Sequence, residues 1–311
     1  MLPAAKKPRS LGSRAAEAGM IGLTRGVFGL ARALGPSRAA DVGAALTRAV
    51  GPLLPAHRTA LANVRAAYPE MSEPEVKRVV RGAWDNLGRT GAEYAHLGDL
   101  FDYDPDRATP GRVEVDGIDH FVSLRDDGRP GIIFSAHLAN WELPAICAAR
   151  FGLDATAVFR APNDPAVARV VHEVRSGTMG GLEAARQGAA FAMQGVLERG
   201  GHLGMLIDQH FTRGVPVTFM GRPALVNPIL AKFARRFDCP VHGVRVVRRP
   251  GHRFRLQLTP ALDLPRDAEG QIEVTGAMQA MTAVVEGWVR ENPEQWLWMH
   301  RRWRAPAGSR R

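Results

Sequence analysis

His137 and Glu142 lie five residues apart in GIIFSAHLANWEL, residues 131–143, directly after an apolar run. A carboxylate that holds one imidazole nitrogen fixes the tautomer and stabilises the imidazolium, which frees the other nitrogen to take a proton from a hydroxyl. The spacing alone carries little weight. Ten histidines in a chain where 31 of 311 residues are Asp or Glu give about one such pair by chance, and only His137 has one. Its position says more, because ligands of open α/β sheets gather at the carboxyl ends of the strands. Residues five apart on a continuous helix are about 140° out of line. The pair therefore meets only if His137 occupies a turn and Glu142 the first turns of the next helix. No G-x-S-x-G nucleophile elbow is present, so the base would act directly on a substrate hydroxyl. The alternative is a structural histidine.

Other strand ends carry further chemistry. VFRAPNDP places Arg160 at one, and Arg175 closes the following helix. Arginine there suits bidentate recognition of phosphate or carboxylate, or else a surface ion pair. GGHLGMLIDQH ends a third strand with Asp208 and Gln209, where the carboxylate orients Arg175 or a substrate hydroxyl, or caps a turn. GVPVTFMGRPALVN reads as a hairpin, or as a loop that offers Phe219 as wall or lid for an apolar chain. PEQWLWMHRRWR interleaves three tryptophans with Arg301, Arg302 and Arg304, a pattern of nucleic-acid or membrane-interface contact.

The elements that must position these residues follow from periodicity. Residues 15–100 read as helical, with Met20, Ile21, Leu23, Val27, Leu30 and Leu34 at three-to-four spacing and a second stripe of Gly19, Gly22, Gly26 and Gly29. A basic amphipathic helix of this kind lies in a membrane interface or packs on a core. Ser72, Pro74 and Glu75 spell a capping box at the start of a further helix. FDYDPDRATPGR then breaks the chain, and strands near 113, 132, 156, 203, 242 and 255 alternate with helices over 141–150, 164–175, 183–199, 227–237 and 274–291. That alternation predicts an α/β fold, a mostly parallel central sheet flanked by helices. The expected organisation is one structural domain, with a helical, membrane-associating region over 1–110, the α/β core over 111–304 and a disordered basic tail over 305–311.

The formal net charge of +10 favours anionic partners. It is unevenly spread: ten Asp/Glu against three Arg between Glu93 and Asp127, eight Lys/Arg against one Asp between Lys232 and Arg255. Two cysteines without ligand-like spacing argue against a disulfide scaffold and structural zinc. No run of 18 residues is free of charge, so a spanning helix is not expected. The basic start MLPAAKKPRS leads into a segment broken by Glu17, Arg25 and Arg32, unlike a cleavable signal. Without a zinc finger or helix-turn-helix pattern, nucleic acid is not an expected partner.

In order, AHLANWE, FRAPNDP, the arginine of HEVRSG, LIDQ, VTFMGRPA and PEQWLWMHRRWR resemble the bacterial late acyltransferases of lipid A biosynthesis, within the lysophospholipid-acyltransferase superfamily. The match runs from about residue 20 to 304. It implies a glycerol-3-phosphate-acyltransferase-like fold and transfer of a fatty acyl group from acyl carrier protein or acyl-CoA to a hydroxyl of a lipid acceptor. The acceptor implied is a lipid A precursor, or another glycolipid or lysophospholipid such as a phosphatidylinositol mannoside. The reaction would occur at the cytoplasmic face of the inner membrane without cofactor or metal. By the same resemblance His137 is the general base and Glu142 its partner, with substrate contacts at Asn140, Arg160, Arg175, Asp208 and Gln209. Ile21, Phe28 and Phe219 are expected to meet the membrane or the acyl chain. The chain departs from the family in its short, charge-broken N-terminal segment, and in Val226 and Asn227 where Thr or Ser is usual.

Overall fold

A computed structural model describes residues 11–303 apart from 163, 186 and 187, and omits the side chains of 11–18, 165 and 166. Arg304, residues 1–10 and the expected tail over 305–311 lie outside the described residues.

Five helices come first: α1 (Leu11–Leu34), α2 (Pro36–Val50), α3 (Pro55–Ala67), α4 (Glu73–Glu93) and the short α5 (Leu97–Leu100). Pro at the first turn starts α2 and α3, where the missing N–H costs nothing. The capping box at α4 is present, with Glu75 accepting from both the Ser72 N–H and its hydroxyl. Among the described residues no helix is long and apolar enough to cross a membrane. The glycine stripe of α1 faces open space, since a Cβ at Gly19, Gly22, Gly26 or Gly29 would meet nothing within 4 Å.

From residue 113 the chain alternates: β1 (Val113–Asp116), α6 (Ile118–Asp126), β2 (Gly131–Ser135), α7 (Leu143–Arg150), β3 (Ala155–Phe159), α8 (Pro165–Ser176), β4 (Gly181–Ala184), α9 (Ala189–Glu198) and β5 (His202–Leu206). A two-stranded antiparallel hairpin, β6 (Val215–Phe219) and β7 (Arg222–Val226), leads to α10 (Ile229–Phe237), β8 (Val241–Arg249), β9 (Arg253–Ala261) and α11 (Val274–Glu291). The seven-stranded sheet has the order β1-β9-β8-β2-β5-β3-β4. Every neighbouring pair is parallel except β8 and β9. This is the expected α/β architecture with a mostly parallel sheet.

Two local readings change. The expected helix over 183–199 begins only at Ala189, because GLEA forms β4 at the sheet edge. A Cβ at Gly181 would sit 2.4 Å from the Thr156 hydroxyl, so glycine allows the edge to close. Helix α6 was not anticipated, since its nine residues bury only Leu124 and show little apolar period.

The sheet divides two cores. Phe134 stacks on Trp288 of α11 on one face, with α4, α10 and the tryptophans near the C-terminal end. Ile133, Val244, Leu256 and Leu258 face α6 and α7 on the other. Helix α4 also packs on the C-terminal segment, and Asn63 of α3 donates to the carbonyls of Trp298 and His300 at 2.8 and 2.7 Å. The N-terminal helices therefore share the core of the sheet.

Candidate active site

Strand β2 ends at Ser135, and the next residues turn sharply instead of entering a helix, which begins only at Leu143. Ala139 adopts φ +48°, a left-handed conformation that non-glycine residues rarely take. Its partners hold it there. Its carbonyl accepts from Asn86 Nδ2 and Thr90 Oγ1 at 3.2 and 3.0 Å, and its N–H donates to the Gln295 carbonyl at 3.0 Å. The tryptophan segment runs alongside, with Leu297 N–H donating to the His137 carbonyl at 3.1 Å. Beneath the turn lies a buried ion pair between Glu93 and Arg248, to which Asn86 and Thr90 also bond.

Parallel strands β2 and β5 are in register at Ser135 and Leu206, so His137 and Asp208 stand two residues beyond each strand, side by side. The Asp208 carboxylate is buried and accepts three hydrogen bonds: His137 N–H at 2.8 Å, His137 Nδ1–H at 2.8 Å and Trp296 Nε1–H at 2.7 Å. Burial opposes its charge, but the His137 imidazole and these hydrogen bonds hold the carboxyl well below the usual carboxylate range. With the proton on Nδ1, Nε2 is the basic atom, and the Gln209 amide nitrogen lies 3.3 Å from it.

Glu142 is engaged elsewhere. Its two oxygens accept from Arg175 at 3.0 and 2.6 Å, and the Tyr94 hydroxyl donates to it as well. Burial, followed by the Glu142 charge, pushes the Tyr94 phenol well above its ordinary value, so it remains a donor. Burial works against the Arg175 charge, yet its bonds to Glu142 raise the guanidinium above its normal range. Arg175 also lies over the Phe159 ring, and its Nη1 has no hydrogen-bond partner among the described residues.

The expected pairing is thus exchanged: His137 is held by Asp208 rather than Glu142, and Arg175 by Glu142 rather than Asp208. Asn140 is not poised for substrate, because it is fully buried, donates to Glu93 at 2.8 Å and accepts from the Glu142 N–H at 3.2 Å. Phe219 is no lid. It is wholly buried against Trp296, Trp303 and the Arg302 guanidinium. Trp296 and Trp298 are wholly buried too, which removes them from any surface contact. Arg160 is exposed at the end of β3. Ile21 and Phe28 are half-buried on the inward side of α1, while the outward stripe is Met20, Leu23, Val27 and Leu30.

Residues not anticipated are Tyr94, Trp296 and His300. The His300 ring is 6.5 Å from His137 and its Nε2 lies 3.3 Å from the Asp208 carbonyl oxygen. Burial pushes its imidazole down to about 4. The signal for the last two was the aromatic C-terminal block, although nothing in it specified which strand end it would meet. Among the described residues no three His, Cys, Asp or Glu side chains gather as a metal site.

Beside this network opens a cavity over the sheet. Trp141, Glu142 and Arg175 line its mouth, and Trp141 stacks edge-on to His137 with centroids 5.2 Å apart. The rest of the wall is almost wholly apolar and touches all seven strands, beneath α6 and α7. Six inter-strand spacings of about 4.8 Å make that face about 29 Å wide. One leaflet's acyl chain needs only about half of a 30 Å hydrocarbon core. Cys147 also faces it, its thiol pushed up to about 12 by burial.

The arrangement is an imidazole held by one carboxylate, an arginine held by another, and an apolar cavity over the sheet beside them. A family model described as bacterial lipid A biosynthesis acyltransferase matches residues 7–305. No curated protein matches the chain.

Proposed function

The chain belongs to the bacterial lipid A biosynthesis acyltransferase family, and on that premise we propose that it moves a fatty acyl chain from a thioester, on acyl carrier protein or coenzyme A, to a hydroxyl of a lipid A precursor or a comparable glycolipid. The observation that carries this is the His137–Asp208 pair packed against Trp141, which lines an apolar cavity.

The acceptor hydroxyl displaces the Gln209 amide from His137 Nε2, which takes its proton as the oxygen attacks the thioester carbonyl. Asp208 stabilises the imidazolium so formed. Arg175, fixed by Glu142 and Tyr94 and lining the cavity, supplies the positive charge where the oxyanion develops. Collapse breaks the carbon–sulfur bond, and the thiolate leaves with the proton held by His137. An ester and a free thiol result, without a covalent enzyme intermediate. In this scheme Glu142 is a positioning residue for Arg175.

The same reading puts the protein on the cytoplasmic face of the inner membrane. In its support, most of the exposed large apolar residues belong to α1, α2 and the turn after α2, among them Leu23, Leu30, Leu46 and Leu53. Such an exposed apolar surface suits an interfacial rather than a spanning attachment.

The test is mass spectrometry of acceptor lipids after incubation with each donor. A mass gain of one acyl group, lost in His137→Ala, is the expected result. No ester from either donor, with a lipid A precursor or a phosphatidylinositol mannoside, overturns the reading.

A further inference from the structure

Gly204 occupies the middle of β5, in register with Ile133 of β2 and Ala157 of β3. Glycine inside a strand is destabilising relative to alanine and normally marks a bulge, a special backbone conformation or a close approach. None applies here. The pairing on both sides is regular, and Gly204 is absent from the positive-φ residues. A Cβ built on it would meet only the Ala157 Cα, at 4.0 Å. Gly181 and Gly131 differ, since a Cβ there would collide at 2.4 and 2.5 Å. The fold therefore tolerates a side chain at 204, and the space it would fill is the cavity that Gly204 itself lines.

We propose that Gly204 sets which acyl chains the enzyme accepts, by leaving out the one side chain that would close the cavity below its mouth. The proposal rests on the acyl-transfer reading and deepens it. Leu206, paired with Ser135, marks the row nearest the mouth, and Gly204 lies two residues deeper. Two residues of strand span about 7 Å. An extended hydrocarbon chain advances about 1.25 Å per carbon–carbon bond of about 1.5 Å. Position 204 therefore meets the chain about six carbons from the row at the mouth. Ala157 narrows nothing, so the bore stays open there for the remainder of a long chain.

The experiment compares wild type, Gly204→Ala, Gly204→Leu and Ala157→Leu with acyl-CoA donors of eight to eighteen carbons. Transfer is read by lipid mass spectrometry, and binding of the free fatty acids by equilibrium dialysis. Each methylene that no longer fits costs about fourfold in affinity. Gly204→Leu should move the preferred length down by four carbons or more, with long chains weakened about 200-fold and short ones retained. Gly204→Ala should shift it by a carbon or two, with melting temperature unchanged or raised. Ala157→Leu reaches the same bore from the neighbouring strand and should act alike. An unchanged length profile in folded Gly204→Leu overturns the proposal while leaving acyl transfer standing. Should wild type transfer no acyl group, the dialysis arm still decides: equal binding of long chains by wild type and Gly204→Leu overturns it, and loss in the variant alone upholds it.

Discussion

Replacing Asp208 with asparagine separates the two carboxylates that stand near the reaction. The Oδ2 atom of Asp208 accepts from both the His137 N–H and Trp296 Nε1–H, so an oxygen must remain at that position. The amide nitrogen of Asp208→Asn then falls at Oδ1, 2.8 Å from His137 Nδ1, and donates to it. Nδ1 becomes an acceptor, the imidazole proton moves to Nε2, and the atom that should receive the substrate proton is already occupied. A wrong tautomer with intact geometry costs about 10⁴ in turnover in the serine-protease precedent, equivalent to about 5.5 kcal/mol of barrier. Two of the three donors keep their acceptor, so the variant should fold. Glu142→Gln disturbs the hold on Arg175 but leaves the base intact, and its loss should be about 10- to 100-fold. Initial rates of thiol release from acyl-CoA, with a saturating acceptor and melting curves as controls, measure both. A folded Asp208→Asn protein within tenfold of wild type refutes the assignment of the carboxylate.

Two further outcomes are expected. His300 is neutral in the folded protein down to about 4, whereas an unfolded histidine takes a proton near 6.5. Between those values the unfolded state binds the extra proton, so this contribution is fully present above about 6.5 and falls as the pH drops toward 4. A shift of that size amounts to about 3 kcal/mol, and His300→Gln should flatten the fall in melting temperature over that window; a parallel pH dependence in the variant would reject burial of His300 as the cause. On the membrane side, the double change Leu23→Glu and Val27→Glu places charge on the outward stripe of α1 without touching its inward side. Vesicle co-sedimentation should weaken at least tenfold, and unchanged binding would remove α1 from the membrane contact.

Much of the chemistry was legible in the chain because it depends on residue type and local period. Runs such as GIIFSA and HLGMLID are apolar enough to require burial on both faces, and a strand buried that way must end at a polar edge. That fixed His137 and Asp208 as strand-end residues and predicted the α/β class. Ser72, Pro74 and Glu75 determined a helix start from three neighbouring side chains, with no help from the rest of the molecule. The wholly buried tryptophans were misread as surface contacts, since an aromatic and basic block reads the same way whether it faces solvent or fills a core.

Pairing belonged to the tertiary structure. His137 and Glu142 are close in sequence, but the left-handed turn at Ala139 separates them. The turn is held by Asn86 and Thr90 of a distant helix and by the C-terminal segment. His137 and Asp208 are 71 residues apart and meet only because β5 lies beside β2 in register. Strand order arises from packing of whole elements, to which local pattern is blind. The sequence by itself determined which residues could act and at which strand ends they stand. The order of the strands decided which of them act together.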